Sequence, residues 1–205
     1  MNQHIDKKRK RIYNVYMISI YDYFDGEPVI ETNRLLLRKV KKKDTHDMYE
    51  YSCDGRVSEY LLWSPHPNEK YTKSYISSLK KQYKNHTFFD FAVIYKENGK
   101  MIGTCGFSRV DAENSCVEIG YVLSHDYWGM GIAAEAAREM IRLAFDEFGF
   151  NRVEARYMTE NIHSARVMEK LGMKKDGVLR SAVCVDGVYH DVGYYSILND
   201  EYKGL

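Results

Sequence analysis

Residues 115–135, SCVEIGYVLSHDYWGMGIAAE, hold a carboxylate inside an apolar run, Glu118, and eleven residues on the first of two closely spaced glycines, Gly129 and Gly131. Trp128-Gly129-Met130-Gly131-Ile132-Ala133 stands between a strand-like run and the start of a helix. Glycines there let successive N–H groups turn into one concavity, and a concavity opening on a helix N-terminus favours an anion such as a pyrophosphate. No Gly-Lys-[Ser/Thr] follows, and Ala134 stands where GxGxxG needs its third glycine, so neither phosphate-loop pattern applies. A plain tight turn reads the same way. Glu118 interrupts the apolar CVEIGYVL, where burial would raise its pKa and suit it to proton transfer. The alternative is a structural carboxylate binding an arginine or a backbone amide. Asn161 precedes IHSARVMEK as a natural helix N-cap, with Ser164 one turn on.

The elements that must position these residues are legible from residue 33 onward. Leu35, Leu37 and Val40 suggest a first strand, and Asp44 has N-cap character before a short helix with Met48 and Tyr51. Two prolines make Trp63–Pro67 a loop, and Tyr75, Ile76, Leu79 and Tyr83 recur at helical spacing. FFDFAVIYK (88–96), KMIGTCGFSRV (100–110) and SCVEIGYVLS (115–124) form an antiparallel meander, turned at Asn98-Gly99 and at 111–114. A long amphipathic helix is expected over 131–148, with Ile132, Ala136, Met140, Ile141, Ala144 and Phe148 on one face. A strand over 152–159, a helix over 162–171 stopped by Gly172, and a hairpin (178–185, 188–198) about Asp186-Gly187 complete an α+β pattern. One domain over 30–205 is expected, preceded by a partly disordered extension over 1–29. In that extension Lys7–Arg11 reads as a solvated tail, Met17 as an alternative start, and Tyr13, Tyr16, Tyr21 and Tyr23 as an added strand.

With 205 residues, 44% hydrophobic and 14% aromatic, the chain can bury one substantial core and is not wholly disordered. Thirty basic against 29 acidic residues leave a net charge of +1, so no global field recruits nucleic acid or an acidic membrane. No apolar run approaches the ~20 residues of a membrane span. Four separated cysteines and seven histidines show no zinc or disulfide spacing, so no metal and a reducing cytoplasm are expected.

On these residues the chain resembles the GNAT superfamily of acyl-CoA-dependent N-acetyltransferases. That family's signature, Q/R-x-x-G-x-G/A after a strand and opening a helix, is matched at Gly131 and Ala133, with Trp128 in the Gln/Arg position. EIGYVLSHDYWGMGIAAEA with that Trp is similar to the RimJ/RimL branch, which acetylates protein N-termini. NIHSARVMEKLGM (161–173) resembles the N-x-x-S/A…E-K-L-G-F/M segment, and ETNRLLLRKVKKKD and VLRSAVCVDGVYHDVGYYSILNDEY share that branch's cadence. The resemblance spans roughly 30–203. It implies a GNAT-like mixed, largely antiparallel sheet flanked by helices, with acetyl-CoA as cosubstrate.

The resemblance also implies roles. Amides of Gly129, Met130, Gly131, Ile132, Ala133 and Ala134 would take the pyrophosphate. Trp128 would cover the phosphates or the adjacent loop, or else close the helix start as a core side chain. Backbone groups of Tyr121, Val122 and Leu123 would pair with pantetheine at a splay between strands, an amide near Val122 polarising the carbonyl. Glu118 lies at about the spacing of a general base in the superfamily, with Glu160 a second candidate. Asn161 would bind the pantetheine arm or cap its helix, or both. Ser164 would protonate the leaving thiolate, since Met168 stands where many relatives place a Tyr acid; Tyr157, Tyr121 and His163 are further candidates. Trp63, with His66, Tyr60 and Tyr189, would shape the acceptor slot or else pack on the surface, the reading favoured for His66, while Asp191 would be structural or bind the acceptor ammonium. The acceptor that the resemblance implies is a protein or peptide N-terminus, ribosomal in type. The alternatives are a small amine (polyamine, amino acid or antibiotic), which Asp54, Glu59 and Glu69 keep open, and a non-catalytic acyl-CoA sensor. No direct nucleic acid or membrane partner is expected; a homodimer through edge strands fits such domains.

Overall fold

Alternating apolar side chains in LLLR, FDFAVIY and MIGTCGFSRVD build the centre of the sheet: Leu35, Leu37, Phe91, Val93, Cys105 and Phe107 are all buried. The computed structural model describes residues 17–202. Lys7–Arg11, Tyr13 and Tyr16 lie outside them. The described residues form one eight-stranded sheet in the order β1-β2-β3-β4-β5-β6-β8-β7. The strands are β1 (Val29–Glu31), β2 (Leu35–Arg38), β3 (Phe89–Tyr95), β4 (Met101–Asp111), β5 (Cys116–Leu123), β6 (Arg152–Met158), β7 (Lys174–Val185) and β8 (Val188–Leu198). Neighbours pair antiparallel except β5 and β6, which run parallel. A parallel pair needs a crossover, and α5 (Ile132–Arg142) supplies it, continued by a wider π-type turn over Leu143–Glu147 in which the Phe148 amide donates to the Leu143 carbonyl.

The helices around the sheet are α1 (Ile20–Asp25), α2 (Thr45–Ser52), α3 (Gly55–Ser58), α4 (Glu69–Lys84), α5, α6 (Ile162–Lys170) and α7 (Asn199–Tyr202). The largely antiparallel α+β architecture expected from the sequence is what they make. α5 buries Ile132, Ala136, Met140 and Ile141 against β4 and β5, and Phe148 beyond it meets Phe107 edge-on. Each large side chain so buried contributes on the order of 2 kcal/mol.

The N-terminal stretch departs from expectation. Tyr21 and Tyr23 belong to α1, capped by the Ser19 hydroxyl, not to an added strand. Ile20 and Phe24 lie on one helical face and are buried, Phe24 packing on Phe89 and Phe91. The added strand is β1. Asp44 precedes α2 as expected, but its carboxylate turns back to Arg38 (2.7 Å) and the Lys41 amide (2.7 Å) instead of capping that helix.

Candidate functional site: a gap in the sheet

The ladder between β5 and β6 is three residue pairs long: Cys116 with Arg152, Val117 with Val153, and Glu118 with Glu154. From Ile119 onward β5 keeps β4 on one side, while β6 continues with β8. The backbone of Ile119–Leu123 therefore faces a gap. Interior strand groups demand partners, so such an edge is a place for a ligand to complete the ladder. Charge marks the end of the seam. Glu118 is buried and accepts from Ser108 Oγ at 2.7 Å and pairs with Arg156 Nε at 3.1 Å, with Arg109 at 3.9 Å. Its neighbour Glu154 is held by Arg109 and by Arg152 at 3.2 Å. The apolar setting inferred for Glu118 from CVEIGYVL is thus replaced by guanidinium groups and a hydroxyl, because β4 and β6 bring polar residues to the same sheet face.

A cavity of about 610 Å³ passes through this gap. At one end lies the N-terminus of α5. Gly129 and Gly131 both have φ +75°, the left-handed region that side chains disfavour, and Gly131 is the N-cap of α5. Gly129, Gly131, Ala133 and Ala134 line the cavity; the Ile132 side chain turns into the core at 1% exposure, leaving its backbone to the site. Met130 is exposed, and its carbonyl accepts from Arg34 Nη1 at 2.9 Å. Glu135 fastens this turn to the start of β2, accepting from Thr32 Oγ1 (2.6 Å), the Arg34 amide (2.9 Å) and Arg34 Nε (2.7 Å). Burial works against its charged form, yet those hydrogen bonds hold its carboxyl below the usual range. A contiguous pocket of about 340 Å³ presents Arg34, Arg138 and Lys170 around the same helix start. That arrangement suits an anion.

Trp128 donates from its indole Nε1 to the Leu123 carbonyl at 2.9 Å and packs on His125, so the ring closes the loop back onto β5. Tyr121 reaches Ser164 with its hydroxyl, 3.0 Å from Oγ and donating to the backbone carbonyl at 3.1 Å. Burial pushes the Tyr121 phenol up. Asn161 caps α6, its Oδ1 accepting from the Ser164 amide at 3.1 Å. Tyr121, Val122, Leu123, Trp128, Asn161 and Ser164 all line the cavity, as do Tyr157 and His163.

The acceptor side differs from expectation. Tyr60 lines the cavity with Arg56, Val57, Leu61 and Leu62, but Trp63 and Tyr189 do not. Trp63 packs against His66, whose Nδ1 sits between Ser52 Oγ (2.8 Å) and Thr72 Oγ1 (2.9 Å). That clip draws the loop onto α2 and α4, and burial holds the His66 pKa down. Tyr189 is 69% exposed beside the β7–β8 turn. Asp191 accepts from the Ser181 amide at 2.8 Å, and Glu160 pairs with His190 at 3.1 Å, outside the cavity. Asp54 is taken by Arg56, and Glu69 lies by His46. The sequence reading passed over Asp90, Ser108 and Arg156, which line the cavity, and the Arg34–Glu135 clamp. Asp90 had a signal, since it interrupts FFDFAVIYK as Glu118 interrupts CVEIGYVL.

Residues 34–174 match the acetyltransferase (GNAT) domain. The chain is 34% identical over 173 residues to an uncharacterised N-acetyltransferase, p20, of Bacillus licheniformis, covering 84% of this chain and 97% of that one. It is 25% identical to the ribosomal protein uS5-alanine N-acetyltransferase of Escherichia coli, covering 84% and 92%. The crystal structure of a GNAT-family acetyltransferase from Bacillus anthracis superposes with a TM-score of 0.75 at 31% identity, covering 85% of this chain and all of that one.

Proposed function

Since the chain belongs to the GNAT acetyltransferase family, we propose that it carries the acetyl group of acetyl-CoA to the N-terminal amine of a protein, with ribosomal proteins as the acceptor class. The observation that carries this is the gap beyond the three-residue seam, which opens at one end on the N-terminus of α5. The residues present fit the cosubstrate. Gly129 to Ala134 offer a helix N-terminus to its pyrophosphate, and Arg138 and Lys170 offer countercharge beside it. Backbone groups of Tyr121 to Leu123 on the gap side supply partners for an extended arm, and Asn161 and Ser164 close the α6 side. Bound there, acetyl-CoA supplies an activated acetyl thioester.

The chain's own residues then do three things. An amide near Val122 donates to the acyl oxygen, where negative charge grows during attack. The Tyr121–Ser164 hydroxyl pair donates a proton to the departing sulfur; the 3.0 Å link between them lets either oxygen regain that proton from the other. Glu118, fixed by Arg156 and Ser108, ties β5 to β6 where the seam ends and the gap begins. The roof residues Tyr60, Leu61 and Leu62 present an aromatic and apolar surface to the first side chains of a peptide. Similarity to the uS5-alanine enzyme supports a small N-terminal residue on a ribosomal protein as acceptor.

The test is thiol release from acetyl-CoA with peptides of varied N-terminal residue, polyamines and aminoglycosides. Turnover of peptides beginning with Ala or Ser supports the reading. Turnover of only polyamines or aminoglycosides would replace the acceptor with a small amine, and acetyl-CoA binding with no turnover would remove the protein-acceptor reading.

A further inference from the structure

Glu118 is already occupied: its carboxylate faces one hydroxyl and two guanidinium groups. A second carboxylate lines the same cavity without such partners. Asp90 on β3 stands opposite Gly106 on β4, which stands opposite Gly120 on β5. Residues opposed in this way point to one face of the sheet, so the row across three strands has a single side chain, that of Asp90. A Cβ built on Gly106 would meet Asp90 Oδ1 at 2.5 Å and collide with the β3 backbone, so the carboxylate lies over the ground that Gly106 leaves bare. A Cβ on Gly120 would meet only Ser108 Cβ, at 3.9 Å, so the floor continues open to the gap. Two inter-strand steps of ~4.8 Å separate β3 from β5. An acceptor nitrogen, or one bridging water, spans what remains.

We propose that Asp90, not Glu118, takes the proton from the acceptor ammonium, across the floor left by Gly106 and Gly120. The inference rests on the acetyl-transfer reading above. An ammonium and an acetyl thioester become an acetamide, a free thiol and one proton. The first N–H proton passes to the Asp90 carboxylate and then to solvent, leaving a neutral amine. The nitrogen bonds to the acyl carbon as the carbon–sulfur bond breaks. The second N–H proton balances the one that the Tyr121–Ser164 pair gives to sulfur.

The surroundings suit a base working at neutral pH. Near Asp90 are Tyr51 from α2 and Tyr75 and Tyr83 from α4, with Cys105, next to Gly106 on β4, on the opposite face of the sheet. Burial pushes all four up, so they stay uncharged, and the Tyr83 hydroxyl donates to the Asp90 backbone carbonyl at 2.7 Å, leaving the carboxylate free. Among the described residues no cation pairs with that carboxylate, and burial pushes Asp90 up to about 7. A base with that value is half ready at neutral pH.

The experiment follows thiol release with an Ala-initiated peptide between about pH 5 and pH 9, using the full chain. Wild type, Asp90→Asn, Glu118→Gln and Gly120→Ala are compared, with acetyl-CoA affinity measured by calorimetry. The wild type should lose kcat/KM as pH falls through about 7. Asp90→Asn should cut turnover about a hundredfold, abolish that limb and keep acetyl-CoA affinity. Glu118→Gln should retain the limb whatever its rate. Gly120→Ala, whose added methyl has room, should lower peptide kcat/KM with acetyl-CoA binding intact. Wild-type rate or an unchanged limb in Asp90→Asn overturns the assignment, as does loss of the limb in Glu118→Gln or unchanged peptide kinetics in Gly120→Ala. A wild type that binds acetyl-CoA without turnover removes the acetyl-transfer reading and this inference together.

Discussion

At the level of single residues, Asp90, the Tyr121–Ser164 pair and Glu118 carry the proposed chemistry, and they answer differently to replacement. Asp90 is half-buried in the cavity wall, and partial desolvation of its carboxyl with no cation beside it makes the ionised form costly to the fold. A carboxyl whose folded pKa lies above its unfolded value binds more protons in the native state, so stability falls as pH rises from about 4 through 7. Asp90→Asn should therefore stabilise the protein at pH 8 by on the order of 2 kcal/mol and change little below about pH 4. Urea denaturation at the two pH values checks this, and equal stability at pH 8 would contradict it. The Tyr121–Ser164 pair is read in kinetics instead. Tyr121→Phe removes the hydroxyl that reaches Ser164, and Ser164→Ala removes its partner. Each should lower kcat roughly tenfold or more while the KM for acetyl-CoA stays near wild type. If the double variant is no slower than the worse single one, the two act as one relay. Glu118 was legible as a charged residue in an apolar strand; its ties to Arg156 and Arg109 were not, because strand pairing brings those partners together from β4 and β6.

At the level of elements, local spacing carried the meander, α4, α5, α6 and the β7–β8 hairpin, since each has a clear period and turn residues at its ends. It did not carry α1, where two buried residues at 20 and 24 are too few to stand out against the four aromatic and charged side chains of the same helix. Nor did it carry the clamp that joins α5 to β2, since Arg34 and Glu135 lie a hundred residues apart and meet only in the folded sheet. The clamp matters because it fixes the turn that holds Gly129 and Gly131 at positive φ. Gly131→Ala should lose about 1 kcal/mol of stability from backbone strain alone. Its new methyl would also sit 3.3 Å from Lys170 Nζ, so affinity for acetyl-CoA should fall further than stability predicts. Calorimetry at a temperature where the variant is folded separates the two effects, and unchanged affinity would argue against the helix start as the pyrophosphate site.

Over the whole molecule, the cavity draws its lining from residue 56 to residue 192, and the adjoining pocket adds residues from 32 onward. Deleting residues 1–16 should accordingly leave acetylation of short peptides unchanged, and a tenfold loss would count against that boundary. The order of the motifs along the chain made the architecture readable, yet the place of Trp63 and Tyr189 outside the cavity lining was not, because loop positions depend on contacts such as the His66 clip, which have no periodic trace. The short seam between β5 and β6 has a mechanical consequence. The sheet amounts to two plates, β1 through β5 and β6 with β8 and β7, riveted by three residue pairs. A joint so short resists twisting poorly, and whatever lies along the gap becomes its second row of rivets. A donor seated in the gap would stiffen the joint between the plates, while the floor of Gly106 and Gly120 stays within one plate, carried by the continuous ladders of β3, β4 and β5.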